Sequence, residues 1–206
     1  MYVPSAFTVA ELGRLHDFIE QHSFGILVTP DNGTAVASHL PFLLDRQAAP
    51  NGILTSHIAR ANPQWQFGDV SEALAIFPGP HAYISPTWYE ADKVVPTWNY
   101  IAVHAYGRLT WIEEAEPLRA ILEATVDTYE RSQPAPWKFE ASDEFFGKMM
   151  KQIVGFQIEI TRLEGKWKLN QNHPSERREK VVRALRAKTS ENAQAIADAM
   201  QATLSQ

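Results

Sequence analysis

The fold is indicated most directly by the stretch Phe24-Gly-Ile-Leu-Val-Thr-Pro-Asp-Asn-Gly-Thr-Ala-Val-Ala-Ser-His-Leu40. It covers most of two β-rich runs, Phe24–Thr29 and Thr34–Leu44, which flank Asp31-Asn32-Gly33. An Asn-Gly step supplies the residues with positive φ that a tight hairpin turn requires. We therefore expect an antiparallel hairpin here, and with it the start of a β-meander.

Further strands are predicted along the rest of the chain. The turn Ala49-Pro50-Asn51-Gly52 leads into one apolar run, and Pro78-Gly79-Pro80 is expected to end a later one. The run that starts at Asn99 is long, β-branched and aromatic, which favours a central strand. The predicted strands are Ile53–Ser56, Ala73–Phe77, Tyr83–Pro86, Asn99–Ile112 and Val154–Leu163.

Helical periodicity is found before, between and after these strands. Thr8 and Glu11 have the spacing of a capping box, and apolar residues then recur on one helical face. Pro134 and Pro136 are expected to stop a helix that begins near Glu113. The predicted helices cover residues 8–22, Ala61–Phe67, the segment from Glu113 to Pro134, Asp143–Ile153 and Ser175–Leu204, the last with a break at Thr189-Ser190.

Short strands joined by tight turns, with helices at both ends, predict an α+β fold built on a small antiparallel β-barrel. The chain has 206 residues, which is enough for one sizeable core. We expect one domain over residues 1–170 and a helical extension over residues 171–206 that packs on it. No dinucleotide fingerprint or P-loop occurs in the sequence, so a nucleotide would be bound in another way.

The composition excludes several classes of chemistry. Without cysteine there is no disulfide, thiolate nucleophile or cysteine-ligated metal. The histidines never fall into a short metal-ligand spacing, so we expect no dedicated metal site. A net charge of −5 argues against nonspecific binding of polyanions. The sequence shows neither a secretory leader nor an apolar run of about 20 residues, which predicts a cytoplasmic protein that does not enter membranes.

The first candidate site is the segment Ser56-His-Ile-Ala-Arg-Ala-Asn-Pro-Gln-Trp65, which follows a predicted strand. It brings a hydroxyl, an imidazole, a guanidinium and two amides into ten residues. Arg60 could make bidentate hydrogen bonds to a phosphate, while Ser56 and backbone N–H groups bind the other phosphate oxygens. The alternative is a loop whose polar groups satisfy one another.

Three other stretches carry candidate residues, each with a structural alternative. The stiff aromatic loop from His81 to Tyr89 suits either a planar ligand or plain packing. The amide of Asn99, beside Trp98, could donate and accept hydrogen bonds at the carbonyl and imide edge of an isoalloxazine ring. Alternatively, Trp98 and Asn99 could simply be the first residues of a strand. Lys168 could add a second charge to a phosphate site, or lie in a solvated loop.

Four sets of motifs, taken in order, resemble the PaiB family over nearly the whole chain. The motifs are His57-Ile-Ala-Arg-Ala-Asn-Pro-Gln-Trp65; Gly79-Pro-His-Ala-Tyr-Ile-Ser-Pro86 with Trp88-Tyr89; Val95-Pro-Thr-Trp-Asn-Tyr100 with Val103-His-Ala-Tyr-Gly107; and Ile153-Val-Gly-Phe156 through Lys166-Trp-Lys-Leu169. The family is described as FMN-binding negative transcriptional regulators. The resemblance implies a Greek-key-like split barrel that forms homodimers, with the flavin at the subunit interface.

The resemblance also implies roles for individual residues. It places the FMN phosphate and ribityl chain near Ser56, His57, Arg60, Asn62 and Gln64. It places the flavin ring near His39, Trp98 and Asn99, and leaves open whether the last two come from the same subunit or from its partner.

One part of the family pattern differs in this sequence. The motif usually reads Lys-Leu-Ser-Gln-Asn-Arg, whereas Asn170 and His173 stand here in place of the serine and the arginine. Because His173 carries little charge at pH 7, the phosphate contact of that arginine is not carried over to this chain. The resemblance also leaves two classes of function open. A regulator would bind DNA through the basic segment from Arg177 to Lys188, or would act through a protein partner. The alternative is a flavin-dependent oxidoreductase or a haem-binding protein.

Overall fold

The computed structural model describes residues 1–138 and 143–204. Over these residues an antiparallel sheet of eight strands is accompanied by five α-helices and three short 3-10 helices. The strands are β1 Thr8–Val9, β2 Phe24–Asp31, β3 Thr34–Pro41, β4 Leu43–Asp45, β5 Ile53–Ala59, β6 Val70–Ile84, β7 Thr97–Ile112 and β8 Ile153–Lys168. The helices are α1 Leu12–Gln21, α2 Ala115–Glu130, α3 Asp143–Met150, α4 Ser175–Arg186 and α5 Glu191–Ala202, with 3-10 helices at Ser5–Phe7, Pro63–Phe67 and Pro86–Tyr89.

The strand order in the sheet is β3-β2-β6-β7-β8-β5-β4, and β1 pairs with β8. The chain divides into two compact units, and β6, β7 and β8 contribute residues to both. Unit 1 consists of Met1–Leu15, Pro78–His104 and Glu164–Gln206, and unit 2 of His16–Phe77 and Ala105–Leu163. The predicted boundary at residue 170 stays a prediction, and residues 205 and 206 of the predicted extension lie outside the described residues.

The predicted hairpin of unit 2 is confirmed. Asn32 and Gly33 have φ values of 47° and 87°, as the tight turn requires, and the pairing runs from Phe24 with Pro41 to Asp31 with Thr34. The second run is divided, however, because Phe42 leaves the sheet between β3 and β4. Its buried ring packs edge-on against Phe77 at 5.4 Å and Phe156 at 5.9 Å between centroids, so burial overrides strand continuity.

Helix α2 covers one face of β8 in unit 2. A Cβ on Gly155 would lie 3.0 Å from Leu118 Cδ1 and 3.2 Å from Ile121 Cδ1. Leu118 and Ile121 are both buried. A glycine at this position of β8 therefore lets the apolar face of α2 approach the strand closely.

The prediction that Pro78-Gly79-Pro80 ends a strand is wrong, because β6 continues through these residues to Ile84. Pairing of β6 with β2 covers Leu74–Ile76 and stops before the first of the prolines. Proline is tolerated in a strand where its missing N–H has no ladder to join. The separate strand predicted at Tyr83–Pro86 is therefore the end of β6.

Two predicted boundaries near the chain's first helix and last strand are also corrected. The last strand reaches Lys168 instead of Leu163, and its end pairs with β1 through Thr8 opposite Lys166 and Val9 opposite Gly165. Thr8 is therefore a strand residue and not a helix cap. Its hydroxyl donates to the carbonyl of Pro4 at 3.1 Å, and α1 begins only at Leu12.

The remaining helices follow the sequence pattern closely. Helix α2 and the break between α4 and α5 at Thr189-Ser190 are confirmed. Helix α3 ends at Met150 because Ile153 already begins β8, and the helix expected at Ala61–Phe67 is a 3-10 helix that starts at Pro63. In unit 1, α4 and α5 pack together through buried apolar side chains that include Leu185 and Ile196.

We predict that Gly107→Ala destabilises the protein strongly. A Cβ at this position of β7 would lie 2.2 Å from the carbonyl oxygen of Glu159, which is backbone and cannot move aside cheaply. Overpacking of this kind should lower the free energy of unfolding by about 3 kcal/mol. Urea unfolding followed by circular dichroism measures the change.

The matched control is Gly13→Ala in α1, where an added Cβ meets nothing within 4 Å. It should change the free energy of unfolding by less than about 1 kcal/mol. Equal stability of the two variants would contradict the close approach of β7 and β8 at Gly107.

Candidate functional site

The candidate phosphate residues of unit 2 do not form a single cradle. Ser56 and His57 are neighbours on β5, so their side chains point to opposite faces of the sheet. Ser56 is buried, and its Oγ donates to the carbonyl of Pro41 at 2.5 Å. Its hydroxyl proton is therefore already used inside the unit.

His57 points to the face of the sheet that α2 covers. It pairs in register with Gly155, and residues paired in this way share a face. The pairing of β4 with β5 ends at Thr55, so His57 lies beyond the end of that ladder. The side chain is half-buried, and its Nδ1 is a buried atom with no hydrogen-bond partner among the described residues.

Burial also sets the charge of this imidazole. Desolvation lowers the pKa of His57 below its ordinary value of 6.5. The ring is therefore neutral near pH 7, with one nitrogen that donates and one that accepts. It can bind a hydroxyl group or a phosphate oxygen without carrying a charge of its own.

Arg60 already has three partners in unit 2. Its Nη1 donates to Glu113 Oε2 at 2.8 Å, its Nε to the carbonyl of Lys151 at 3.1 Å, and its Nη2 to the carbonyl of Ile153 at 3.2 Å. Trp65 adds a stacking contact, with its ring 5.2 Å from the guanidinium carbon. Two N–H groups are left for an anion, but the Glu113 carboxylate beside them opposes a phosphate.

Asn62 and Gln64 hold the segment after β5 against the first hairpin. Asn62 Oδ1 accepts from the backbone N–H of Gln64 at 3.0 Å and so caps the 3-10 helix, while its Nδ2 donates to Ser38 Oγ at 2.8 Å. The buried Gln64 accepts from Ser38 Oγ at 2.7 Å and donates to Thr29 Oγ1 at 2.9 Å. Sequence reasoning missed Ser38 and Thr29, since no local motif marks partners 24 to 35 residues away.

His39 is the exposed member of the unit 2 candidates. It lies on β3, and its ring stacks on Phe24 with 6.5 Å between centroids and 27° between planes. Phe24 is itself 64% exposed. The pair therefore presents an aromatic surface along β3, which lies at the end of the strand order.

The candidates of unit 1 make contacts of their own. Trp98 is 53% exposed, whereas Asn99 is buried and its Nδ2 points to Met200 Sδ on α5 at 3.3 Å. The ammonium group of Lys168 binds the hydroxyl of Thr97 and the carbonyl of Trp98. Its burial, and then the charge of a nearby lysine, lowers the pKa of Lys168. The structure thus brings Lys168 and Trp98 together.

The loop from His81 to Tyr89 divides between the two interpretations left open by the sequence. Tyr89 packs: it is buried, its hydroxyl accepts from Asn170 Nδ2 at 2.7 Å, and its ring stacks on His173 at 4.9 Å. His81, Tyr83 and Trp88 instead line a cavity of about 610 Å³ in unit 1.

The two departures from the family motif thus serve the packing of Tyr89. Asn170 has a φ of 63°, a conformation that asparagine tolerates better than most residues. Neither position supplies a cation to a phosphate site, because burial lowers the pKa of His173 below 6.5.

Two general findings bear on the class of site. Among residues 1–138 and 143–204, no group of three or more histidine, aspartate or glutamate side chains is placed to hold a metal ion. Within the same residues, no helix combines the length and the apolar character needed to span a bilayer.

We predict that Gln64→Ala destabilises unit 2. The substitution leaves the buried hydroxyl of Thr29 and the Ser38 Oγ without their amide partner, which should cost about 2 kcal/mol in the free energy of unfolding. Gln66→Ala is the control, because Gln66 is exposed in the same 3-10 helix, and its effect should stay within about 0.5 kcal/mol. Similar urea midpoints for both variants would contradict a structural role for Gln64.

Comparison with known proteins places these residues in a family. Residues 1–162 match the family model described as "Putative FMN-binding domain", a match that includes every candidate site residue except Lys168. The chain is 35% identical over 98% of its length to "Protease synthase and sporulation protein PAI 2" of Bacillus subtilis, of which 97% is covered. It is 31% identical to an uncharacterised protein of Aspergillus fumigatus, with 88% of the chain and 89% of the relative covered.

Solved structures with low sequence identity share the fold. The flavocytochrome Anf3 of Azotobacter vinelandii aligns with a TM-score of 0.59 and 11% identity, over 78% of this chain and 69% of that one. An FAD and heme binding protein of Mycobacterium smegmatis aligns with a TM-score of 0.57 and 15% identity, over 78% and 73%. The expected α+β fold with an antiparallel split β-barrel, flanking helices and a helical tail is confirmed. The chain therefore belongs to this FMN-binding family, and the kinship with PaiB that its motifs indicate is confirmed.

Proposed function

We propose that this chain binds FMN, and that the phosphate-bearing side chain of the flavin is held in unit 2 around His57. The observation that carries the proposal is the buried Nδ1 of His57, which has no hydrogen-bond partner among the described residues. A buried polar atom left unpaired costs about 1–3 kcal/mol. Because Nδ1 is closed to solvent, a ligand that pairs with it must first displace the groups that cover it, and then recovers that energy.

The chemistry of the surrounding groups fits a ribityl phosphate. A neutral imidazole can exchange hydrogen bonds with ribityl hydroxyls, and burial keeps His57 neutral near pH 7. The exposed ring of His39 is a further hydrogen-bonding group in the same unit, and the two unused N–H groups of Arg60 suit ribityl hydroxyls better than the phosphate, which Glu113 repels. Bound flavin would supply one- or two-electron redox chemistry, while the protein supplies binding and orientation.

Asn62, Gln64 and Ser56 act in this proposal as positioning residues. Their hydrogen bonds run to the hairpin and to Pro41, and Gln64 has no exposed atom. By fixing the chain on both sides of His57, they hold the imidazole in place before the ligand arrives. Preorganisation of this kind reduces the entropy lost on binding.

We base the flavin site on unit 2 because the unit 1 candidates have other contacts. Asn99 also has a buried atom, Oδ1, without a partner among the described residues, but the residue is fully buried and its Nδ2 contacts Met200 Sδ. The ammonium of Lys168 is held by Thr97 and Trp98. Trp98 stays 53% exposed and lines a separate cavity together with His81 and Tyr83, whose ring centroids lie 6.1 and 5.9 Å from its own.

We further propose that the chain functions as a homodimer. In the strand order β3 is terminal, and an uncovered strand edge is a site for pairing with another chain. Along β3 the side chains of Ala35, Ala37 and His39 are exposed, and Phe24 beside them is largely solvent-accessible. A second copy would cover this apolar edge.

Direct DNA binding through the basic segment is not part of the proposal. Arg178 binds the hydroxyl of Thr203, and Arg186 binds Asp198 at 3.0 Å. Lys180 binds Glu176 on its own helix at 3.2 Å and Glu90 at 3.0 Å. Three of the six cations of this segment are therefore engaged within unit 1, whereas phosphate contacts require exposed ones. The regulatory role and an oxidoreductase or haem-binding function stay predictions from the resemblance.

FMN titration of the purified protein, followed by quenching of flavin fluorescence, tests the proposal. The native protein should bind FMN, and His57→Ala should weaken binding about 10-fold because one buried hydrogen bond is lost. His57→Asn keeps a polar atom near the place of Nδ1 and should restore part of the affinity. His81→Ala, an exposed imidazole of unit 1, should leave affinity within about twofold.

Absence of FMN binding by the native protein would contradict the cofactor assignment. Equal affinity of native protein and His57→Ala, with intact circular dichroism, would place the flavin elsewhere on the chain.

A further inference from the structure

The cavity of about 610 Å³ in unit 1 has the size of a small-molecule site, since ligand pockets generally span roughly 300–1,000 Å³. Its walls come from the end of β6, the 3-10 helix Pro86–Tyr89, the start of β7, and the turn between α4 and α5. All these segments belong to unit 1. The candidate residues Ser56, His57 and Arg60 do not line it.

Aromatic side chains dominate one wall. Trp98 and Tyr83 form an edge-to-face pair at 69°, and His81 is tilted against Trp98 at 42°. Trp98 and Tyr83 remain 53% and 47% exposed, although side chains of this kind usually bury most of their area. The rings thus support one another and leave faces and edges open toward the cavity, an arrangement suited to a planar aromatic ligand.

The rest of the lining carries positive charge and hydrogen-bonding groups. Lys188 lines the cavity with its ammonium 5.8 Å from the centre of the Trp88 ring. Within the described part of the chain it has no carboxylate partner, and no aspartate or glutamate lines the cavity. Thr189, Ser190 and Asn192 add polar groups around the start of α5, and the Ser190 hydroxyl makes no capping bond.

The charge decides between two kinds of aromatic-site ligand. Aromatic walls can also hold organic cations, but an ammonium group in the same cavity repels them. A carboxylate on an aromatic ring would satisfy Lys188 and the hydroxyl groups while its ring contacts Trp98 and Tyr83. The geometry therefore favours an anionic ligand over a cationic one.

We propose that this cavity binds a small planar aromatic carboxylate at a site separate from FMN. The proposal goes beyond flavin binding and does not depend on it.

Calorimetric titration of the full chain with 2-naphthoate and its neutral analogue 2-naphthamide tests the proposal. The two probes have nearly the same shape and differ in charge. The native protein should prefer the carboxylate by about 5- to 10-fold, the worth of one partly exposed charge-assisted contact. Lys188→Gln should remove this preference, and Trp98→Ala should lower the affinity for both probes about fivefold or more.

Two matched variants control for nonspecific effects. Lys151→Gln removes an exposed lysine of unit 2, and Trp137→Ala removes a tryptophan that is 56% exposed outside the cavity. Both should bind the probes like the native protein. Circular dichroism of every variant checks that the fold is retained.

A repeat of the titration in saturating FMN separates the two sites. Unchanged affinity for 2-naphthoate supports a separate site, whereas displacement by FMN would assign the cavity to the flavin and overturn the proposal. It would also be overturned if the native protein bound neither probe, or if Lys188→Gln kept the preference for the carboxylate.

Discussion

The pairing of β5 with β8 is the constraint on which the candidate flavin site depends. It runs from Ile53 opposite Glu159 to Ala59 opposite Ile153. Because side chains alternate along a strand, this register alone places Ser56 in the core and His57 on the face covered by α2. A slip of one residue would exchange them and bury an imidazole where a small hydroxyl now binds Pro41. The chemistry of this segment is therefore decided by a distant strand.

How far the sequence predicts the structure depends on whether the signal is local. Asn32-Gly33 specifies its own turn, and the break at Thr189-Ser190 interrupts a helical period, so both were predictable. Pro78-Gly79-Pro80 was wrongly predicted to end a strand, because its missing ladder partner depends on where the distant strand β2 begins. Gln64 lies in a recognisable motif, yet the sequence around it does not indicate its hydrogen bonds to the hairpin residues Ser38 and Thr29.

The polar residues of the family motif serve the protein's own structure as much as a ligand. Arg60 and Gln64 each bind groups of unit 2, while one buried nitrogen of the His57 imidazole has no partner in the part of the chain that the structure describes. Residues that support the fold have their hydrogen bonds satisfied within the protein, whereas a residue that binds a ligand keeps a hydrogen-bonding atom available for it. Unit 1 presents a different chemistry, with Lys188 and open aromatic rings around the cavity that we propose for a second, anionic ligand. The two surfaces are expected to act on different molecules.

The most direct test of the flavin assignment is the ¹⁵N resonance of His57 Nδ1 in protein labelled selectively at its seven histidines. Its signal is identified by its loss in His57→Asn. On addition of saturating FMN we expect this resonance to shift, because Nδ1, which has no partner among the described residues, gains one. The signals of His81 should stay in place. An unchanged His57 resonance in protein that has bound FMN would contradict the account.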